Sequence, residues 1–237
     1  MSEAELIRLL ADAQRSNTHT VDAKLFADLD QAAAYRVQIG VTAALGRAVG
    51  MIKTGVSNGA GVVAPIHREF AGGNGARFPV GNVRGLEVEV GLVLGKDVPA
   101  GIESIRPYVD HYFTGAEIVG SRFADQTKFG LHGGMADNMS SLGYVIGVEP
   151  RPLADAIDGL TVRLEFNGTQ IYAAPAKHGF GTVLASATAY ANAQHAAYPL
   201  RAGTIITTGS LCGMVPTSGP GHVVAWLGDE RMEFDLA

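Results

Sequence analysis

The sequence predicts an α+β protein in which a helical N-terminal arm, residues 1–50, precedes a β-rich body, residues 51–237. Three observations carry that prediction. Apolar residues recur at helical spacing over the first fifty residues and again near residue 190. From Met51 onward short apolar runs otherwise alternate with glycine-rich turns, the pattern of strands. Glycine makes up 31 of 237 residues, about twice its usual share. With 7% aromatic residues, that points to many tight turns and close backbone approaches.

The elements follow in order. Ser2 and Glu5 stand at capping-box spacing before the stripe Leu6, Leu9 and Leu10, so a helix is expected over residues 2–14. A second helix is expected over residues 30–45, with Ala34, Val37, Val41 and Leu45 on one side and Gly46 and Gly50 after it. The clearest strand runs from Leu86 to Leu94. Its alternation places Leu86, Val88, Val90, Leu92 and Leu94 on one face and Glu87, Glu89, Gly91 and Val93 on the other. Further strands are expected at residues 115–120, 142–148, 160–166, 204–209 and 222–227. Asn167-Gly168, between two β-type runs, is a hairpin signal. An alanine-rich stretch from Thr182 to about Ala196 reads as one helix. No internal repeat, low-complexity tract or linker interrupts the chain.

Composition narrows the function. Apolar residues at 47% and charged residues at 17% argue against wholesale disorder, and a chain of this size buries roughly 70% of its unfolded surface without staples. A net charge of −5 with no Lys/Arg cluster lacks the footprint of a nucleic-acid binder. The single cysteine, Cys212, allows no internal disulfide and no cysteine zinc site. The acidic start is unlike a secretory signal, and no apolar run is long enough to span a bilayer, so neither membrane nor export is expected and the cytoplasm is.

Glu87 and Glu89, at i and i+2 on a strand, point the same way and are spaced to bind one hard cation. A solvated strand face is the alternative. Against it, the small Gly91 on the same face leaves room for a bound group, and a third acid, Glu117, lies in the apolar run Gly115–Val119, where an unpartnered charge is costly. Three carboxylates with no cysteine or paired histidine favour magnesium or manganese over zinc. Lys53, in the apolar, glycine-flanked segment Met51–Ser57, is either a snorkelling surface residue or a buried proton carrier. Arg122 is placed to clamp a substrate carboxylate or to pair with a structural acid. Ala136-Asp137-Asn138-Met139-Ser140-Ser141 is a turn-forming polar cluster that can also orient a ligand. His178, among glycines, reads as a loop histidine. Ser210 lacks the surroundings of a nucleophile elbow.

Together these pieces resemble the 2-keto-4-pentenoate hydratase family of the fumarylacetoacetate hydrolase superfamily, nearly end to end. Ala34-Tyr35-Arg36-Val37-Gln38 is similar to the family's Ala-Tyr-x-x-Gln helix. Lys53-Thr54-Gly55-Val56-Ser57 resembles its Lys-x-Gly-x-Thr/Ser segment, and Glu87-Val88-Glu89 with Leu94-Gly95-Lys96-Asp97 its metal strand and exit. Ala116-Glu117-Ile118-Val119 with Ser121-Arg122 looks like the third ligand and its sequel. Ala136-Asp137-Asn138 with Ser140-Ser141 resembles the Ala-Asp-Asn signature. Leu200-Arg201-Ala202-Gly203, Gly209-Ser210 and Pro220-Gly221 are similar to the closing strands. Two departures stand out, of which one is Lys177-His178, where the family's segment is ordinarily small and apolar. In the other, the family's Pro-Asp-Phe-Gly-like loop is replaced by Pro65-Ile66-His67-Arg68-Glu69-Phe70, which leaves Glu69 or His67 as stand-ins for its acid.

The resemblance implies a mixed β-roll or sandwich body of the fumarylacetoacetate hydrolase C-terminal-domain type, with magnesium or manganese on Glu87, Glu89 and Glu117. It implies catalysis by Lys53 with Glu69 or His67, and substrate contacts from Arg122, Asp137, Ser140, Ser141 and Ser210. It implies a homo-oligomer acting on a small 2-oxo or 2-hydroxydienoate acid in aromatic or steroid ring catabolism, with a pathway aldolase or decarboxylase as a candidate partner. The leading expectation is a hydratase giving a 4-hydroxy-2-oxo acid. Decarboxylation of a vinylogous 2-oxo diacid of the 4-oxalocrotonate type comes second and acylpyruvate hydrolysis third. A partner subunit that stabilises a related enzyme is the non-enzymatic alternative.

Overall fold

In the computed structural model, which describes residues 1–79, 81, 83–148, 157 and 159–237, the chain forms two helices and then two sheets. Helix α1 (Glu3–Ser16) starts at a full capping box, Ser2 and Glu5 bonding each other's backbone. Helix α2 (Gln31–Leu45) is capped by Asp30 and ends at Gly46 in the left-handed region. Their buried faces, among them Leu6, Leu10, Val37 and Val41, join the same apolar cluster as the strands.

The strands are β1 (Val49–Ser57), β2 (Ala60–His67), β3 (Ala71–Gly72), β4 (Arg77–Phe78), β5 (Val83–Leu94), β6 (Val109–Gly120), β7 (Ser141–Ile146), β8 (Thr161–Phe166), β9 (Thr169–Pro175), β10 (Ile205–Ser210), β11 (Val215–Pro216), β12 (Gly221–Leu227) and β13 (Glu230–Leu236). The larger sheet has the order β2-β1-β10-β5-β6-β7-β3, with β11 on β5, and the smaller the order β4-β13-β12-β8-β9. The larger sheet curls until β2 approaches β7. The face of β5 that carries Leu86, Val88, Val90, Leu92 and Leu94 is fully buried in the main core with Val223, Ala225 and Phe234 of the smaller sheet. The opposite face lines the inside of the roll, where Met51, Ile66, Phe113 and Tyr144 form a separate apolar plug. Among the described residues no helix is long and apolar enough to cross a membrane.

Helix α2 covers the edge of the larger sheet. The Tyr35 hydroxyl accepts from the Val63 amide at 3.1 Å, and Gln38 Nε2 donates to the Met135 carbonyl at 2.7 Å and the Val63 carbonyl at 3.4 Å. Strand β2 lies at the end of its sheet, so its outward amide and carbonyl need such partners. The tyrosine and glutamine of the helix motif are therefore structural.

One expectation needs correction. The alanine-rich stretch gives a helix only over Ala185–Ala191, α4. Gly181 enters at φ +87, and the Asn192 amide is engaged by the Gly101 and Ile102 backbone, so the chain turns away there. The segment after Lys53 stays in strand β1 as far as Ser57. It reverses at Asn58-Gly59, φ +50 and +78, a two-residue hairpin that leads directly into β2. Helix α3 (Gly130–Ala136) and strand β13, neither anticipated, complete the body.

Helix α4 rests on β1 and β2 because Gly61 has no side chain: a Cβ there would lie 2.2 Å from the Tyr190 nitrogen. Gly59 has nothing within 4 Å. Gly59→Ala is expected to cost about 1–2 kcal/mol from its left-handed backbone alone. Gly61→Ala is expected to cost about 1–3 kcal/mol by overpacking against backbone, and only it should accelerate amide exchange in α4. Urea unfolding with hydrogen exchange checks both, and undisturbed α4 protection in Gly61→Ala would refute the packing argument.

Candidate metal centre

Glu117 on β6 lies directly across from Glu87 on β5, and Glu89 is one alternation further along the same face. Carboxylate oxygens of the three lie within 4.8 Å of one another. Glu89 and Glu117 are fully buried. The Thr207 hydroxyl of β10 donates to Glu89 Oε2 at 2.5 Å. Lys53 reaches in from β1, its Nζ donating to Glu117 Oε1 at 2.7 Å and to the Met139 carbonyl at 3.2 Å. The lysine is thus inside the roll, not on the surface.

Charge in this space is poorly solvated. Burial pushes the Glu87 carboxyl up to about 7, and the Glu117 charge adds to it while Lys53 opposes. Burial, with Glu117 and Glu87, raises Glu89 further. Burial would depress the Lys53 ammonium, but Glu117, Glu87 and Glu89 outweigh it and hold the group above the ordinary lysine value. Two buried oxygens, Glu89 Oε1 and Glu117 Oε2, have no hydrogen-bond partner among the described residues. Three acids against one ammonium, with orphaned oxygens in the same space, fit a divalent, oxygen-preferring cation.

Several contributors were not anticipated. Tyr144 on β7 is the register partner of Glu117. Its hydroxyl lies 2.3 Å from where a Gly115 Cβ would be, and burial with the neighbouring carboxylates raises its phenol, which stays neutral. Gly115, a glycine inside a strand, was the available signal. Gly91 needs correction. The space beside it is not left for a ligand, because the Phe113 ring fills it, 2.0 Å from the missing Cβ. Met139 is aimed at Lys53 by three successive left-handed residues, Asn138, Met139 and Ser140, at φ +51, +51 and +63. Such a run of non-glycine residues is costly and must be held by its surroundings.

Arg122 and Asp137 supply that hold. The Arg122 guanidinium is engaged by the Asp137 carboxylate and carbonyl and by the Ser141 carbonyl, and Ser121 Oγ adds a 2.6 Å bond to Asp137. The pair is buried and ties the 137–141 turn to the end of β6. Arg122 is therefore committed to a structural acid, and Asp137 to Arg122. The Ser141 hydroxyl is buried without a partner among the described residues, and Ser140 faces a cleft beside β1. Ser210 is the register partner of Glu89, and its hydroxyl donates to the Gly213 carbonyl at 3.1 Å.

The structure does not bring His67 or Glu69 to the carboxylates. His67 ends β2 facing α2, with Nε2 3.0 Å from Thr42 Oγ1. Burial and the charges of Arg47 and Arg122 depress it to about 4. Glu69 is exposed and paired with Arg47. The cause is the short hairpin, which carries this segment past Lys53 along β2 to the helical side.

The model of the fumarylacetoacetate hydrolase C-terminal family matches residues 53–234. The chain is 28% identical over 231 residues to the TodF product hydratase of Pseudomonas putida F1, covering 89% of this chain and 86% of that protein. Its fold superposes on 4-oxalocrotonate decarboxylase from Pseudomonas putida G7, solved with magnesium and adipate, with a TM-score of 0.81, 21% identity and coverage of 100% and 99%. Maleylpyruvate hydrolase from Sphingobium sp. SYK-6, solved with manganese(II) and pyruvate, gives a TM-score of 0.51 at 18% identity, covering 79% of this chain and 69% of that one.

The carboxylates predict a pH signature. Glu87 and Glu89 hold protons more tightly folded than unfolded, so metal-free stability falls as pH rises from the unfolded value of 4.5 through the Glu87 value of about 7, and Glu89, raised in the same direction, adds to the fall. His67 acts oppositely, its contribution growing from about 4 and levelling off about one pH unit above its unfolded value of 6.5, where the two carboxylates outweigh it. Between pH 6.5 and about 8 the metal-free Tm is therefore expected to fall. The rise in Tm on adding magnesium is expected to grow over the same window, with protons released on binding. Thermal scans with and without magnesium check this, and a flat profile in both states would contradict the assignment.

Proposed function

The chain belongs to the fumarylacetoacetate hydrolase C-terminal family, and on that footing we propose that it is a divalent-metal-dependent hydro-lyase, adding water to a 2-hydroxydienoate to give a 4-hydroxy-2-oxo acid. The observation that carries this reading is the Lys53–Glu117 pair beside two further acids: a proton carrier within reach of a site that fits a cation. The likeness to a hydratase over most of both chains supports hydration among the reactions that share an enolate. Glu87, Glu89 and Glu117 would hold magnesium or manganese, which when bound supplies Lewis-acid stabilisation of negative charge on a 2-oxygen.

The remaining chemistry falls to the chain's own groups. An ammonium has three N–H donors. Two of those on Lys53 are directed at Glu117 and Met139, and the third has no acceptor among the described residues. That proton is positioned to be exchanged with a dienol or its distal carbon during tautomerisation. Glu117 and the Met139 carbonyl orient Lys53 from two sides, and the Arg122–Asp137 pair fixes the turn that presents that carbonyl. We place the reaction in ring catabolism, in a cytoplasmic homo-oligomer. Arg122, Asp137 and Ser141 act in this reading through the turn that carries Met139, Ser210 beside Glu89, and Ser140 by bordering the cleft beside β1.

Lys53→Met is expected to lower kcat by roughly 10²–10⁴-fold while magnesium binding persists, since Lys53 is not a ligand. Activity within twofold of wild type, or a change in KM alone, would remove Lys53 from proton transfer. Glu89→Gln is expected to keep the fold and lose most magnesium affinity, read by calorimetry. Mass-resolved product analysis with 2-hydroxydienoates and 2-oxo diacids decides the reaction. Gain of water supports the proposal, whereas loss of carbon dioxide or cleavage into two acids replaces it with decarboxylation or hydrolysis.

A further inference from the structure

We propose that the cavity between the end of β2 and the start of β7 is a second ligand site, built for a small carboxylate whose binding braces the turn that carries Met139. The cavity has a volume of about 60 Å³, room for roughly four waters or one molecule of similar bulk. Helix α1 contributes one wall, and the segment Pro65–Phe70 that departs from the family pattern contributes another. Lys53, Glu87, Glu89 and Glu117 do not line it, so it is separate from the metal centre.

Its polar groups are buried and incompletely bonded. His67, Arg122, Asn138 and Ser141 line it at 2% to 6% exposure. Asn138 Oδ1, Ser141 Oγ and Gln14 Nε2 have no hydrogen-bond partner among the described residues. Gln14 cannot exchange the ends of its amide, because Oε1 accepts from the Arg47 guanidinium at 3.0 Å and a guanidinium has only donors. Its orphaned group is therefore a donor. Among the described residues no such bond fixes the Asn138 amide, which can present its nitrogen instead. Of five N–H groups each, Arg122 engages three and Arg47 two. Buried orphans are costly, and on this cavity what they lack is an acceptor.

The electrostatics select an anion. Burial first, then the positive charges of Arg47 and Arg122, hold the His67 imidazole down to about 4, so the ring is neutral and the potential around it is positive. A carboxylate offers about four lone-pair sites to these donors and is favoured by that potential. Pro65, Phe70, Pro79 and Leu142 form the apolar remainder of the lining, which suits a methyl or ethyl tail. Asn138 and Ser141 flank Met139 and Ser140, and residues 138–140 form the left-handed run. One ligand bonded to both flanking side chains opposes relaxation of that turn. The consequence for catalysis rests on the role proposed for Lys53, whereas the binding does not.

Calorimetric titration of acetate into the full chain, held metal-free with a chelator, tests this apart from the metal centre, where three acids without a cation repel an anion. Acetate is expected to bind once per chain with a Kd of about 0.1–10 mM. It should bind at least about fivefold more tightly than acetamide, its neutral isostere, and slow amide exchange at residues 138–141. Gln14→Met keeps the length of the side chain and removes the donor. It is expected to weaken acetate about tenfold and leave magnesium affinity within twofold. Ser141→Ala is expected to weaken acetate similarly without lowering the metal-free Tm, because it deletes an orphaned hydroxyl. No heat beyond dilution, binding that appears only with magnesium, or binding unchanged in both variants would mean a cavity that holds water only, and the proposal fails. Acetamide binding as tightly as acetate overturns the choice of a carboxylate. Acetate binding that leaves exchange at residues 138–141 unaltered overturns the link to the turn.

Discussion

Mutual repulsion among Glu87, Glu89 and Glu117 organises this molecule. Carboxylate oxygens within 4.8 Å of one another, in a space with little water, cannot all carry charge unless something answers it. The chain supplies part of the answer with the Lys53 ammonium against Glu117 and the Thr207 hydroxyl against Glu89. Protonation of Glu87 and Glu89 supplies the rest when no cation is present. Each helper comes from a different strand, so the electrostatic balance depends on the register of β1, β10, β5, β6 and β7 together. A slip of one residue in β5 or β6 would turn an acid into the apolar core, and one in β1 or β10 would turn Lys53 or Thr207 away from the acids.

The same demand explains the strained turn at residues 138–140. Lys53 needs a second acceptor to stay aimed along the carboxylates, and the Met139 carbonyl provides it only because three consecutive residues adopt left-handed backbone. That conformation is maintained by the buried Arg122–Asp137 pair with Ser121 and Ser141. An ion pair that touches no reacting atom thus sets the position of one that does.

What the sequence revealed depended on how local the information was. The alternation of β5 assigned its two faces without reference to the rest of the chain, and the capping box and the Gly46 stop located both N-terminal helices to within two residues. Glu117 stood out because an acid in an apolar run has few alternatives. Tyr144, Thr207 and Met139 were invisible because each joins the site only through a strand pairing or a hydrogen bond across 27 to 154 residues of chain. His67 and Glu69 were named as stand-ins for the acid of the family's loop, but the hairpin at Asn58-Gly59 carries them away from Lys53. The Tyr35 and Gln38 motif was legible as a pattern and silent about its purpose, which is to satisfy the edge of β2.

The interior of the roll also has an inheritance rule. Gly91 faces the ring of Phe113, and Gly115 faces the hydroxyl of Tyr144, each at distances no Cβ could share. Neither glycine can drift alone: a methyl at either position needs a smaller partner in the same generation, and a smaller partner first would leave a void beside the acids. These two small–large couples should therefore travel through the lineage as linked units, and a directed-evolution library that diversifies the barrel lining must encode them jointly to contain folded members.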